Sequence, residues 1–171
     1  AGVRELYPWR AAIAAAKGDW AGAKRLFNDT DSVIAGLPPQ FSIHLGIIAA
    51  EAALSVNDTA SAEARLSSLE GLSARSSELD SIAYLKGHVH KQRKRPEKAL
   101  GMWQSVMRYG DRPSRAKAAF STVNLKLDAG TITKEQATEE LEKLKFAWRN
   151  SVFEFDLLHK LGDLYASRDM L

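Results

Sequence analysis

A small residue followed four positions later by a large apolar residue recurs along this chain at a nearly constant interval. The small residue is alanine each time, and successive alanines are 39, 37 and 38 positions apart. A fixed period of this size predicts a stack of repeated units, each burying its apolar face against the next one. The four pairs are Ala23 with Phe27, Ala62 with Leu66, Ala99 with Trp103, and Ala137 with Leu141.

The residues between these pairs predict helices throughout, and the fold class is all-α. All five prolines fall at expected helix boundaries, and no alternating strand pattern of useful length occurs. Gly18 is suited to end a helix and Asp19 to cap the next one. Thr133 and Gln136 form a capping-box pattern. About nine helices are expected, over residues 9–17, 20–35, 41–56, 59–72, 79–93, 96–109, 114–129, 134–148 and 152–165.

The composition is typical of a folded chain of one domain, residues 1–171. It is 45% apolar and 26% charged. No apolar run approaches the roughly 18–20 residues that span a bilayer, and we expect a soluble cytoplasmic or periplasmic protein. The absence of cysteine excludes disulfides, thiolate metal sites and cysteine nucleophiles. The helix at 152–165 is too apolar for a terminal repeat, so we expect a fragment of a longer chain, whose uncapped ends would allow self-association.

The repeat resembles the tetratricopeptide repeat (TPR) of about 34 residues. Gly87 and Gly162 match its small first-helix residue, and Ala11 and Ala50 substitute for it. The four alanines named above match its second-helix alanine. This chain departs from the family in its longer period of 37–39 residues and in lacking the first-helix tryptophan. The resemblance implies a right-handed superhelix of about four and a half repeats, at 4–38, 41–76, 79–112, 114–149 and, in part, 152–171. Residues 146–150 resemble segments of large bacterial repeat proteins.

The same resemblance implies a concave wall that is made by the first helix of each repeat and binds a partner protein or peptide. The lysines, asparagines and arginine with which the best-known members clamp a terminal carboxylate are not reproduced as a set. The alternative is that the wall is solvated surface. The implied wall residues are His44, Glu51, Tyr84, His88, Lys91, Gln92, Thr122, Lys126 and His159.

Charge is distributed unevenly along the chain. Residues 1–80 carry a net charge of −3, residues 81–149 carry +8 and residues 150–171 carry −2. The basic middle favours a partner of acidic character. Its sharpest feature is a basic patch that could bind the phosphates of nucleic acid; alternatively, these cations simply complement the end of a helix dipole. The patch residues are Lys91, Arg93, Lys94 and Arg95.

Catalysis and metal binding have no support in the sequence. His88 and His90 point about 200° apart on a helix and cannot bind one ion together. No serine lies in a nucleophile turn, and no glycine-rich phosphate loop is present. We therefore expect a non-enzymatic scaffold without a cofactor that holds a protein partner. A helical-repeat module that binds nucleic acid through residues 86–117, or an auxiliary domain of a larger enzyme, is the alternative.

Overall fold

The computed structural model describes residues 4–72, 74–146 and 152–169 of the chain. The described residues form ten α-helices and no strand. This confirms the all-α class. After a short 3-10 turn at Arg4–Leu6, the helices are α1 (Tyr7–Ala16), α2 (Trp20–Phe27), α3 (Asp31–Ala35), α4 (Pro39–Ser55), α5 (Thr59–Ser68), α6 (Ser76–Gln92), α7 (Pro96–Tyr109), α8 (Arg112–Asp128), α9 (Lys134–Glu142) and α10 (Val152–Asp169).

Short polar caps begin several of these helices, as the sequence predicts. The Asp19 carboxylate accepts a hydrogen bond from the backbone N–H of Gly22 at the start of α2. Thr133 and Gln136 form the reciprocal capping box of α9. Gly18 adopts a φ of 79° after α1, which is a left-handed conformation that glycine reaches without a steric penalty. The side-chain caps set the helix starts because each satisfies a backbone N–H that the helix itself cannot.

The prediction of one continuous helix over residues 20–35 is wrong. The segment divides into α2 and α3, because Asp29 adopts a φ of 59° and turns the chain. Thr30 then donates its hydroxyl hydrogen to the Phe27 carbonyl oxygen over 2.8 Å. Asparagine, aspartate and threonine favour such local turns over a continuous helix. Elsewhere the predicted ends move by up to four residues, except that the helix predicted over 134–148 is wrong in length: α9 ends at Glu142, and residues 143–146 form turns. Residue 148 itself lies outside the described residues.

The chain divides into two compact units, Ala1–Ala99 and Leu100–Leu171, a division that the repeat pattern did not predict. In unit 1, α1 pairs with α2 and α4 pairs with α5. Helix α4 also contacts α1 and α2, and α6 contacts α4 and α5. Each helix pair therefore packs against the next within this unit.

Polar contacts join successive pairs of unit 1 at the repeat interval. Arg65 donates to the Phe27 carbonyl oxygen over 2.9 Å, and Gln92 donates to the Leu54 carbonyl oxygen over 2.8 Å. Both contacts join residues 38 positions apart. The same interval that spaces the buried alanines thus also spaces the hydrogen bonds between helix pairs.

Unit 2 contains α8, α9 and α10, with α9 in contact with both of the others. Its apolar cluster includes Ala137, Leu141 and Leu157. In both units, all four predicted alanines and their apolar partners are no more than 1% exposed, which confirms the sequence pattern as the core. No helix among the described residues is long and apolar enough to cross a membrane.

Candidate functional site

Five of the six residues predicted for the wall in unit 1 lie along one side of α4 and α6, two helices in contact. Spacings of three and four positions place them on one face of each helix. Ile47 and Tyr84 pack against the same apolar cluster and form the floor of this surface. We call this surface the α4–α6 face; it comprises His44, Ile47, Glu51, Tyr84, His88 and Lys91.

His44 and Glu78 show that the two helices approach one another at one end of the α4–α6 face. His44 is exposed on α4, whereas Glu78 is buried in the first turn of α6. The pKa of Glu78 is lowered chiefly by the side-chain hydrogen bond from Arg75, with a smaller contribution from the nearby His44.

His88 is held within the face rather than projecting from it. Its ring meets that of Tyr84 edge to face, with ring centroids 4.7 Å apart. Burial, with a smaller contribution from the positive charge of Lys91, lowers the pKa of His88 to about 4. His88 is therefore neutral at pH 7, so the positive charge at this end of the face comes from Lys91.

Gln92, also predicted for the wall, instead joins neighbouring helices. Its Nε2 donates to the Leu54 carbonyl oxygen, and its Oε1 accepts from the Thr59 hydroxyl over 2.6 Å. Both ends of the amide are occupied. The role of this side chain in unit 1 is to fix α6 against the end of α4 and the start of α5.

The wall residues predicted in unit 2 differ in accessibility. Thr122 is buried, and its hydroxyl has no hydrogen-bond partner within the described part of the chain. Lys126 is exposed. His159 is exposed as well, with its Nδ1 3.3 Å from an Asp163 carboxylate oxygen one helical turn away. Thr122 therefore offers no open surface, whereas the other two do.

The basic patch lies at the end of α6 and the turn before α7. Arg93 is ion-paired with Glu63 of α5, so one of the four positive charges of the patch is compensated. Lys91, Lys94 and Arg95 have no ion pair among the described residues. Burial lowers the pKa of His90, and Lys98 and Arg95 contribute to the shift through their positive charge. The turn is thus a concentrated cationic surface, to which Lys98 belongs.

A cavity of about 510 Å³ lies between α3, α4 and α5, on the side of α4 away from the α4–α6 face. We call it the α3–α5 cavity. Arg65 in its wall is almost completely buried, with only 9% of its side chain exposed, and it pairs with Asp31 over 2.7 Å. The sequence pattern missed this site because it treated residues 20–35 as one helix. The turn-forming run at residues 28–30 was the signal that could have revealed it.

Within the described residues, no group of three or more histidine, aspartate or glutamate side chains is placed to hold a metal ion. No family model, curated protein or solved structure matches this chain. The geometry of its own residues is therefore the basis for a functional proposal.

Proposed function

We propose that this chain is a non-enzymatic interaction scaffold whose α4–α6 face binds a segment of a partner protein. The observation that carries the proposal is the combination of an apolar floor, Ile47 and Tyr84, with polar groups along the same two helices. An apolar floor supplies affinity through burial, and surrounding polar groups fix the orientation of the ligand.

A TPR-like superhelix is part of this proposal. It is supported by the contacts of α4 with both preceding helices and of α6 with both helices of the second pair. Further support comes from the hydrogen bonds that recur at the repeat interval. Stacked helices of this kind are ordered before binding, so that the scaffold itself loses little conformational entropy when the partner docks.

The expected partner segment is acidic, because Lys91 lies on the face and the cationic turn begins beside it. The experiment is affinity capture from a lysate treated with nuclease, comparing the unaltered chain with the double variant Tyr84→Ala/Lys91→Glu. Lys17→Glu provides a matched charge reversal at an exposed position after α1. Loss of a discrete captured protein in the double variant alone is the expected result. Equal capture by all three proteins, with unchanged helical content, would refute the assignment.

Nucleic-acid binding is a second candidate, favoured by the cationic turn. Lys91, Lys94, Arg95 and Lys98 are clustered without anionic partners in the described ranges. Such a surface would give binding that weakens steeply with salt and depends little on base sequence. Capture that disappears on nuclease treatment and on Lys94→Glu/Arg95→Glu substitution would support this function in place of the scaffold.

A further inference from the structure

The α3–α5 cavity has the size and composition of a small-molecule site. Its volume of about 510 Å³ falls within the range of about 300–1,000 Å³ that is common for ligand pockets. Apolar side chains form most of its wall, so that an apolar ligand would gain free energy by leaving water. These residues include Ile34, Leu37, Pro39, Leu69 and Leu72.

Arg65 gives this largely apolar wall a cationic position. Its Nη1 pairs with an Asp31 carboxylate oxygen over 2.7 Å, and its Nη2 donates to the Phe27 carbonyl oxygen over 2.9 Å. A guanidinium has five N–H donors, and these two contacts leave donors for one more acceptor. The Asp31 side chain that pairs with Arg65 is 73% exposed. A ligand carboxylate can therefore bind Arg65 beside Asp31 or displace it, with little loss of buried surface.

The serine hydroxyls of the wall cannot serve as additional donors. Ser42 donates to the backbone carbonyl oxygens of α3 and of the turn after it, at 2.6 and 3.0 Å. Ser61 donates to the Asp58 carboxylate and Ser68 donates to the Arg65 carbonyl oxygen, each over 2.7 Å. Because these hydroxyl hydrogens are used, Arg65 is the side-chain donor of the wall that remains for an acceptor group of a ligand.

We propose that the α3–α5 cavity binds a small amphipathic carboxylate, of the class of medium-chain fatty acids. The alkyl chain would lie against the apolar wall, and the carboxylate would accept hydrogen bonds from the Arg65 guanidinium. Arginine matches the two oxygens of a carboxylate in the geometry of a fork. The site is independent of the α4–α6 face, and it remains a site whether or not that face binds a protein.

The first experiment compares three probes that share one alkyl chain, octanoate, 1-octanol and octylammonium. Binding is followed by titration calorimetry and by backbone amide shifts, below the micelle concentration of each probe. The expected result is saturable binding of octanoate, with shifts clustered in residues 31–37 and 61–72. Octanol should bind about tenfold more weakly, because it lacks the charge-assisted hydrogen bonds. Equal binding of all three probes, or no saturable octanoate binding, would overturn the proposal.

Two further variants test the position of the ligand. Ala64 is exposed on α5 and lines the cavity, so that Ala64→Trp should fill it and abolish octanoate binding. Ala60 is exposed one turn earlier and is not among the lining residues, so Ala60→Trp should bind octanoate as the unaltered chain does. Unimpaired binding by Ala64→Trp would show that octanoate binds elsewhere and would refute the site.

The variant Asp31→Asn tests whether the ligand carboxylate binds at Arg65 or whether the Arg65–Asp31 ion pair is only structural. Removing the competing carboxylate should strengthen octanoate binding about two- to fivefold, the scale of an exposed ion pair. A weaker affinity in Asp31→Asn would contradict placement of the ligand carboxylate at Arg65.

Discussion

Replacement of Arg65 by methionine should destabilise unit 1 by about 2 kcal/mol, because it removes a charged hydrogen bond while keeping most of the buried stem. The Phe27 carbonyl oxygen keeps contacts with the Thr30 hydroxyl, at 2.8 Å, and with the Thr30 backbone N–H, at 3.3 Å. It is therefore not left unsatisfied, and the cost is the lost hydrogen bond itself, about 1.5–3 kcal/mol. The ion pair with the exposed Asp31 adds less than about 1 kcal/mol.

Urea unfolding followed by circular dichroism measures the change, and hydrogen exchange locates it. Amides of α2 to α5 should lose protection in Arg65→Met, whereas those of α8 and α9 should not. Arg25→Met is the control, since Arg25 is exposed on α2 and its loss should change stability by less than about 0.5 kcal/mol. If the two variants unfold at the same urea concentration, Arg65 does not join the helix pairs as argued.

Three further predictions concern titration, capping and backbone conformation. The folded pKa of His88, about 4, lies below its ordinary value of 6.5, so its contribution to stability should be fully present above about pH 6.5 and fall towards pH 4. The urea midpoint of His88→Gln should vary less over this pH range than that of the unaltered chain. An equal dependence of the midpoint on pH in the two proteins would contradict the burial argument. Thr133→Ala should reduce the stability of α9 by about 1 kcal/mol through loss of its cap. Hydrogen exchange of the α9 amides measures the change, with Gln104→Ala, an exposed position in the middle of α7, as the control. Equal protection of α9 in both variants would contradict the prediction. Lys94 has a φ of 57°, so Lys94→Gly should raise the thermal midpoint by relieving about 1 kcal/mol of strain, and a lower midpoint would show that the lysine side chain stabilises the turn.

The core and the helix starts could be predicted from sequence because both depend on neighbours within one helical turn. An alanine and a large apolar residue four positions apart lie on the same helix face, and that face is buried. Asp19 and Thr133 cap their helices through backbone groups three residues away. These effects require no knowledge of the remainder of the chain.

The candidate sites depended on contacts that sequence spacing does not specify. Gln92 has the spacing of a wall residue, but its amide is occupied by Leu54 and Thr59. The repeat pattern assigned no role to Arg65, which is buried against the end of α2 and beside the α3–α5 cavity. Both side chains are fixed by partners more than 30 positions away, and no local pattern could identify those partners.

The sequence by itself determined an all-helical chain with a regular period, because hydrophobic spacing and capping are short-range properties. The tertiary structure decided which polar side chains join helix pairs and which stay accessible. It also decided that α3, α4 and α5 bound a cavity, with the buried Arg65 in its wall. The physical reason is that the burial, pairing and accessibility of a polar group are set by every element packed around it.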